Sequence, residues 1–141
     1  MTRRKGRTLA LEALYAWEAA GTPLEELIRF PWVEEEKLKN LDEESLNYPR
    51  LLIAGVIENQ TIIDSKIRAA IQNWDFSRLK RVDLAILRLS AYSLLFQKET
   101  PPPVTIEEAI KLSQEYSGKD SYRFINAILD TISHGAALSP A

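Results

Sequence analysis

The sequence predicts an all-α protein, and three observations carry that prediction. Apolar residues recur at helical spacing along nearly the whole chain, no stretch alternates with the period of two that marks a strand, and Gly- or Pro-bearing breaks separate the periodic segments. The connections are short, which favours antiparallel neighbours, and six or seven helices are expected.

The first helix is set by Ala10, Ala13, Leu14 and Trp17, spaced i, i+3, i+4, i+7, and the Gly21-Thr22-Pro23 turn ends it. Leu24, Leu27 and Ile28 begin a shorter helix that stops near Pro31. The polar stretch EEEKLKNLDEES reads as a solvated face or loop, with Asp42 as an N-cap followed by first-turn acids. Val56, Ile63, Ile67, Ile71 and Trp74 continue one stripe, expected on a main helix from about residue 50, after a turn before Pro49, to about residue 73. Val82, Ala85, Ile86, Leu89, Tyr92 and Phe96 mark a strongly apolar helix. Pro101-Pro102-Pro103 is expected to end it as an extended spacer. Thr105 and Glu108 have capping-box spacing for a helix with Ile106, Ala109, Ile110 and Ser113 inward. Gly118 stops that helix, Asp120 or Ser121 caps the last one, and Ile125, Ile128, Leu129 and Ile132 give its buried face. The tail from His134 is expected to fray.

A chain of 141 residues suits one compact domain or two small subdomains on a shared core. It has no cysteine, which excludes a disulfide scaffold, a thiolate metal site and a cysteine nucleophile, and suits a reducing cytosol. No signal-peptide core and no membrane-length apolar run is present, so a cytoplasmic location is expected. Charge is segregated rather than merely balanced at a net −2. Four positive charges fall within residues 1–8, residues 9–65 hold four basic against twelve acidic residues, and residues 66–98 hold seven basic against two acidic. Such segregation can place a basic surface on an acidic molecule.

No Gly-rich phosphate loop, metalloprotease helix or nucleophile elbow is found. The single histidine, His134, has no partner pattern for a triad or a metal site, and the abundant carboxylates read as solvated helix pairs. No catalytic residue, metal or cofactor is expected. Three stretches rise above this background. Arg3, Arg4, Lys5 and Arg7 place cations where the helix dipole disfavours them, which points to an anionic partner, although a solubilising terminus has the same composition. GKDSYRFINAILD interleaves Lys119 and Arg123 with Tyr122 and Phe124 at a helix start, a pattern suited to phosphate and to unpaired bases. Phe124 falls about 100° from Ile125 around the helix, so a core position and a stacking position are both open to it. The third, residues 74–95, has a core periodicity with Arg78, Lys80, Arg81 and Asp83 bunched at its start, either a solvated cap or the rim of a protein interface.

These stretches together resemble the NusB family of bacterial transcription antitermination factors, over residues Arg3 to about Ile132. RRKGR followed by EALYAWE is similar to the family's arginine-rich start and A-L-Y helix. Residues 74–95 follow its W…RL…VD.AILRL..Y.LL pattern, PVTIEEAIKLSQEY its P..V.INEA helix, and KDSYRFINAILD its.DS.KFVNG.LD. The resemblance implies two packed three-helix bundle subdomains with a short linking helix, here about 1–75 and 76–135. It implies binding of boxA RNA on nascent transcripts, notably of ribosomal RNA operons, jointly with the small-subunit ribosomal protein that acts as NusE. The pair helps assemble a termination-resistant elongating RNA polymerase complex with other Nus factors, without catalysis. Carried over by motif, Arg3, Arg4, Lys5 and Arg7 form the basic arm, and Asp120, Ser121, Arg123 and Phe124 lie in a second RNA-facing motif. Tyr15 and Asp83 match positions that face NusE. Departures are Ala127 for a usual glycine, Glu107 for Asn in the I-N-E-A motif, Pro49 where the family continues a helix, and residues 24–48, which match least well. Two other readings are a detached NusB-like module associated with a ribosomal RNA methyltransferase, and an assembly module that forms a homodimer when idle.

Overall fold

A computed structural model describes residues 1–72 and 74–138, and every described regular element is helical. In chain order these are α1 (Arg3–Ala20), α2 (Leu24–Leu27), α3 (Glu35–Lys39), α4 (Asn47–Glu58), α5 (Gln60–Ala70), a 3-10 turn (Phe76–Arg78), α6 (Arg81–Phe96), α7 (Pro102–Tyr116) and α8 (Ser121–Leu138).

α6 lies at the centre. Residues 83–91 are buried without interruption, and α1, α4, α5, α7 and α8 all pack on it. A helix buried around its whole circumference must be apolar or internally paired throughout. α6 meets this with Leu84, Ala85, Ile86, Leu87, Leu89 and Ala91 and with two partnered charges, Asp83, which accepts the Ser117 hydroxyl, and Arg88. The guanidinium of Arg88 donates from Nε and Nη2 to the two oxygens of Asp64 on α5, each at 2.9 Å, and from Nη1 to Glu18 on α1 at 2.8 Å. It also stands 5.1 Å from the ring centre of Trp17.

α1 begins earlier than its apolar stripe. Thr2 Oγ1 accepts the amide of Lys5 at 3.1 Å as N-cap, so the basic cluster is the first turn of the helix and not an arm ahead of it. Gly21, at φ 69°, closes α1 by donating its amide to Trp17 O. Glycine is also required at position 6, where a Cβ would lie 2.6 Å from Tyr48 Cδ2. Tyr48 packs there against the first turn of α1, with the Arg3 guanidinium 5.5 Å from its ring centre.

Several boundaries differ from the expectation. Pro49 lies in the first turn of α4, where its missing amide hydrogen has no helical acceptor to lose, so the helix starts at Asn47. The long stripe divides at Asn59 into α4 and α5, and α5 ends at Ala70, before Trp74. Only Pro101 of the proline run is extended. Pro102 and Pro103 start α7, and Thr105 is therefore buried inside the helix rather than capping it. Asp42 accepts the Glu44 amide at 3.4 Å in a turn, five residues before α4 begins at Asn47, and so does not cap that helix. α8 runs on to Leu138 where fraying was expected, and residues 139–141 of that tail lie outside the described residues.

The divergent segment between α2 and α4 is held by Leu27, Phe30 and Leu46, all buried. Phe30 takes φ 52°, a left-handed conformation that costs a residue with a Cβ about 1–2 kcal/mol. Complete burial of its ring, worth about 1.5–3 kcal/mol, offsets that cost. Arg50 adds a bond from Nε to Ile28 O at 2.9 Å. No described helix is long and apolar enough to cross a membrane.

Candidate nucleic-acid and partner interface

The four cations of the first turn do not act alike. Arg3, Arg4 and Lys5 are exposed, whereas Arg7 is only 6% exposed. Helical geometry turns Arg7 one further step towards α6, where its Nη1 donates to Ser93 Oγ at 3.1 Å. Ser93 Oγ lies 2.7 Å from Gln97 Oε1 and donates to it. Arg7 Nε and Nη2 have no partner among the described residues. Arg7 opens on a cleft of about 100 Å³, which Arg3, Arg4 and Arg7 line together with Tyr48, Gln97, Glu99 and, from α7, Thr105 and Glu108. A buried guanidinium with two unused donors beside two further arginines has the chemistry to take an anionic oxygen, and Glu99 and Glu108 on the same cleft offset part of that positive charge.

The second motif lies at the opposite end of α6. Ser117, just after α7, donates its hydroxyl to the Asp83 carboxylate and sits 3.0 Å from Ser121 Oγ, from which it can accept. This chain of polar contacts fixes the start of α8 against the start of α6. Asp120 and Arg123 are exposed, and Ser121 and Phe124 are partly buried. Arg123 Nε donates to Tyr122 Oη at 3.1 Å, and that bond, followed by the nearby Tyr122 charge, raises the pKa of Arg123. Phe124 packs against the core and also meets Trp74, ring centres 5.4 Å apart and planes at 62°. Core and surface roles are thus combined in one ring. The cationic turn and this corner are separated by roughly the length of α6, about 24 Å for its 16 residues.

Tyr15 and Asp83 diverge in setting. Tyr15 is 44% exposed and lines an apolar groove with Leu11, Ala16, Trp32, Val82 and Tyr116, while Asp83 is buried and committed to Ser117. Burial first, and then the charges of Glu115 and Glu12, raise the pKa of Tyr116 at that groove. Sequence reasoning missed Trp32, Val82 and Tyr116. Trp32 belongs to the poorly matching segment, and its position depends on the fold of that loop around Phe30, 5.7 Å away in an edge-on contact. No group of three or more His, Cys, Asp or Glu that could hold a metal is formed among the described residues.

Comparison with known proteins bears on the whole of this surface. The model of the NusB family matches residues 4–134. The transcription antitermination protein NusB of Treponema denticola is 48% identical over 130 residues, covering 92% of this chain and 94% of its own. NusB of T. maritima superimposes with a TM-score of 0.83 at 34% identity, over 95% of this chain and 92% of the other. A structure of antitermination factors NusB and NusE in complex with dsRNA gives a TM-score of 0.80 at 27% identity, over 96% of this chain and 99% of that one. The two surfaces described above therefore sit on a fold shared from end to end with these proteins, and the chain belongs to the NusB family.

Proposed function

We propose that the protein is a transcription antitermination factor. It binds boxA RNA of nascent transcripts, notably from ribosomal RNA operons, together with the ribosomal protein that acts as NusE. It acts in the cytoplasm by binding, without a chemical step, and the pair joins an elongating RNA polymerase complex with other Nus factors. The observation that carries this reading is the near full-length similarity to antitermination proteins, one of them in complex with NusE and dsRNA.

The residues divide the work by their settings. Arg3, Arg4 and Lys5 give exposed positive charge for phosphates, and the two free donors of Arg7 suit a phosphate oxygen drawn into the cleft. Arg123 and Phe124 supply the distant contact, with Asp120 and Ser121 at the helix start beside them. Tyr15 and its apolar groove take the protein partner, because exposed aromatic surface in a concave patch favours docking of a protein. Asp83 acts through Ser117, holding the α7–α8 corner in place.

The test separates the two surfaces. Replacing Arg3, Arg4 and Lys5 with glutamine should weaken RNA binding at least about tenfold and leave NusE binding within about twofold. Replacing Tyr15 with alanine should do the reverse. Equal loss of both ligands in both variants would refute the division.

A further inference from the structure

The most exposed large apolar side chain on the described surface is Trp74, at 60% of its full exposure. It belongs to neither the cationic turn nor the helix that carries Phe124. α5 stops at Ala70 and the chain turns, with the Trp74 amide donating to Ile71 O at 2.6 Å, before Asp75 caps the following 3-10 turn through the Ser77 amide at 3.0 Å. The indole is therefore carried on a hydrogen-bonded turn, and the Phe124 ring steadies it from the side. Beside the two rings runs a shallow groove floored by Ala127, Ile128 and Thr131 of α8. Phe124, Ala127, Ile128 and Thr131 are spaced i, i+3, i+4, i+7, so they form one continuous face of that helix.

Three features select the occupant. Exposed cations flank the groove's residues in the chain: Arg78 follows Trp74 in the 3-10 turn, Lys119 and Arg123 precede Phe124, and Arg68, near the end of α5, holds its guanidinium 4.2 Å from the Phe76 ring centre. Ring faces among cations are the pattern of a platform for unpaired bases rather than of a dry protein interface, whose core is poor in charge. The groove is also continuous with the Arg123–Phe124 corner through Phe124 itself. Finally, Phe124 spends part of its surface on the core, which leaves Trp74 as the larger accessible ring.

We propose that Trp74 is a base-stacking residue, with an unpaired nucleobase of the bound RNA lying in this groove against the indole and Phe124 acting as the indole's support. This rests on the RNA-binding reading of the Phe124 corner.

The experiment measures affinity for a labelled boxA-like RNA and a scrambled RNA, with NusE present, for the wild-type chain and for Trp74→Ala, Trp74→Phe, Phe124→Ala and the Arg3/Arg4/Lys5 glutamine variant. Thermal melting is followed for each. Trp74→Ala should keep its melting temperature within a few degrees and lose about 5- to 150-fold in boxA affinity. Trp74→Phe should retain most of the affinity, because a ring face remains. The dependence of affinity on salt should not change, because no phosphate contact is lost. If both Trp74 variants bind as the wild type does while Phe124→Ala and the glutamine variant weaken, the role of Trp74 is refuted and the RNA reading stands. If the wild type itself does not distinguish the two RNAs, the RNA reading fails first and the stacking role falls with it. Should Trp74→Ala unfold, the comparison of wild type with the ring-retaining Trp74→Phe and with Trp74→Leu decides: equal affinity in all three overturns the proposal.

Discussion

Arg88 and Arg7 are both buried arginines, and their surroundings assign them opposite consequences. Arg88 faces two carboxylates. Burial works against its charge, but hydrogen bonds to Asp64 and Glu18, reinforced by their negative charges, more than offset that and raise its pKa. A raised arginine pKa stabilises the fold at every pH below the ordinary arginine range, so no loss is expected as pH varies around neutrality. Arg88→Met should leave Asp64 buried without its cation and cost about 3–5 kcal/mol. For a chain of this length that corresponds to a fall in melting temperature of roughly 10–17 °C. Pairing it with Asp64→Leu should restore much of the loss, and a full unrecovered loss in the double variant would show that the pair is not an isolated compensation. Arg7 has no carboxylate bonded to it, only Ser93 Oγ. Arg7→Met should change stability by no more than about 1 kcal/mol in either direction, because an apolar chain replaces a poorly compensated cation. The same variant should weaken RNA binding. A large drop in melting temperature would make Arg7 a structural residue.

At the scale of elements, the close approaches rest on glycine. A Cβ at Gly55 would overlap the Tyr92 ring, which fills the space where α4 crosses α6. Gly55→Ala should therefore cost about 1–3 kcal/mol, seen in chemical denaturation as a lower midpoint with an unchanged slope. Adding Tyr92→Leu should recover part of it. The main helices were legible in the sequence because their stripes are local: Ala10, Ala13 and Leu14 in α1, or Ile125, Ile128 and Leu129 in α8, are buried as their spacing requires. The proline run was misread because proline both ends one helix and opens the next. Which of these it does at Pro102 depends on where α7 finds its packing against α6 and α8. Arg7 was unreadable for a similar reason, since the serine it meets is 86 residues away. Trp74 fitted the α5 stripe by number, but the helix ends four residues earlier, so the periodicity no longer directs its side chain inward.

On the whole molecule, α6 acts as the ruler between surfaces. The cationic turn lies at its C-terminal end, and the Phe124 corner lies at its N-terminal end with the Tyr15 groove beside Val82. Neither proposed RNA surface is large, so a strand that engages both would gain from linkage, and a protein partner on the Tyr15 groove that also touched the RNA would add more. Five phosphate contacts, from Arg3, Arg4, Lys5, Arg7 and Arg123, would give a slope of log affinity against log salt near −3.5. Glutamine at the first three should reduce the slope to about −1.4. An unchanged slope would place the phosphates elsewhere.

The joint recognition of RNA with NusE is tested most directly by the affinity for a boxA-like RNA and a scrambled one, with and without NusE, at two salt concentrations. Weak, salt-sensitive and nearly sequence-independent binding is expected for the protein alone. With NusE, the boxA-like RNA should gain about tenfold or more over the scrambled RNA. Equal binding of the two RNAs, with no gain from NusE, would contradict the account.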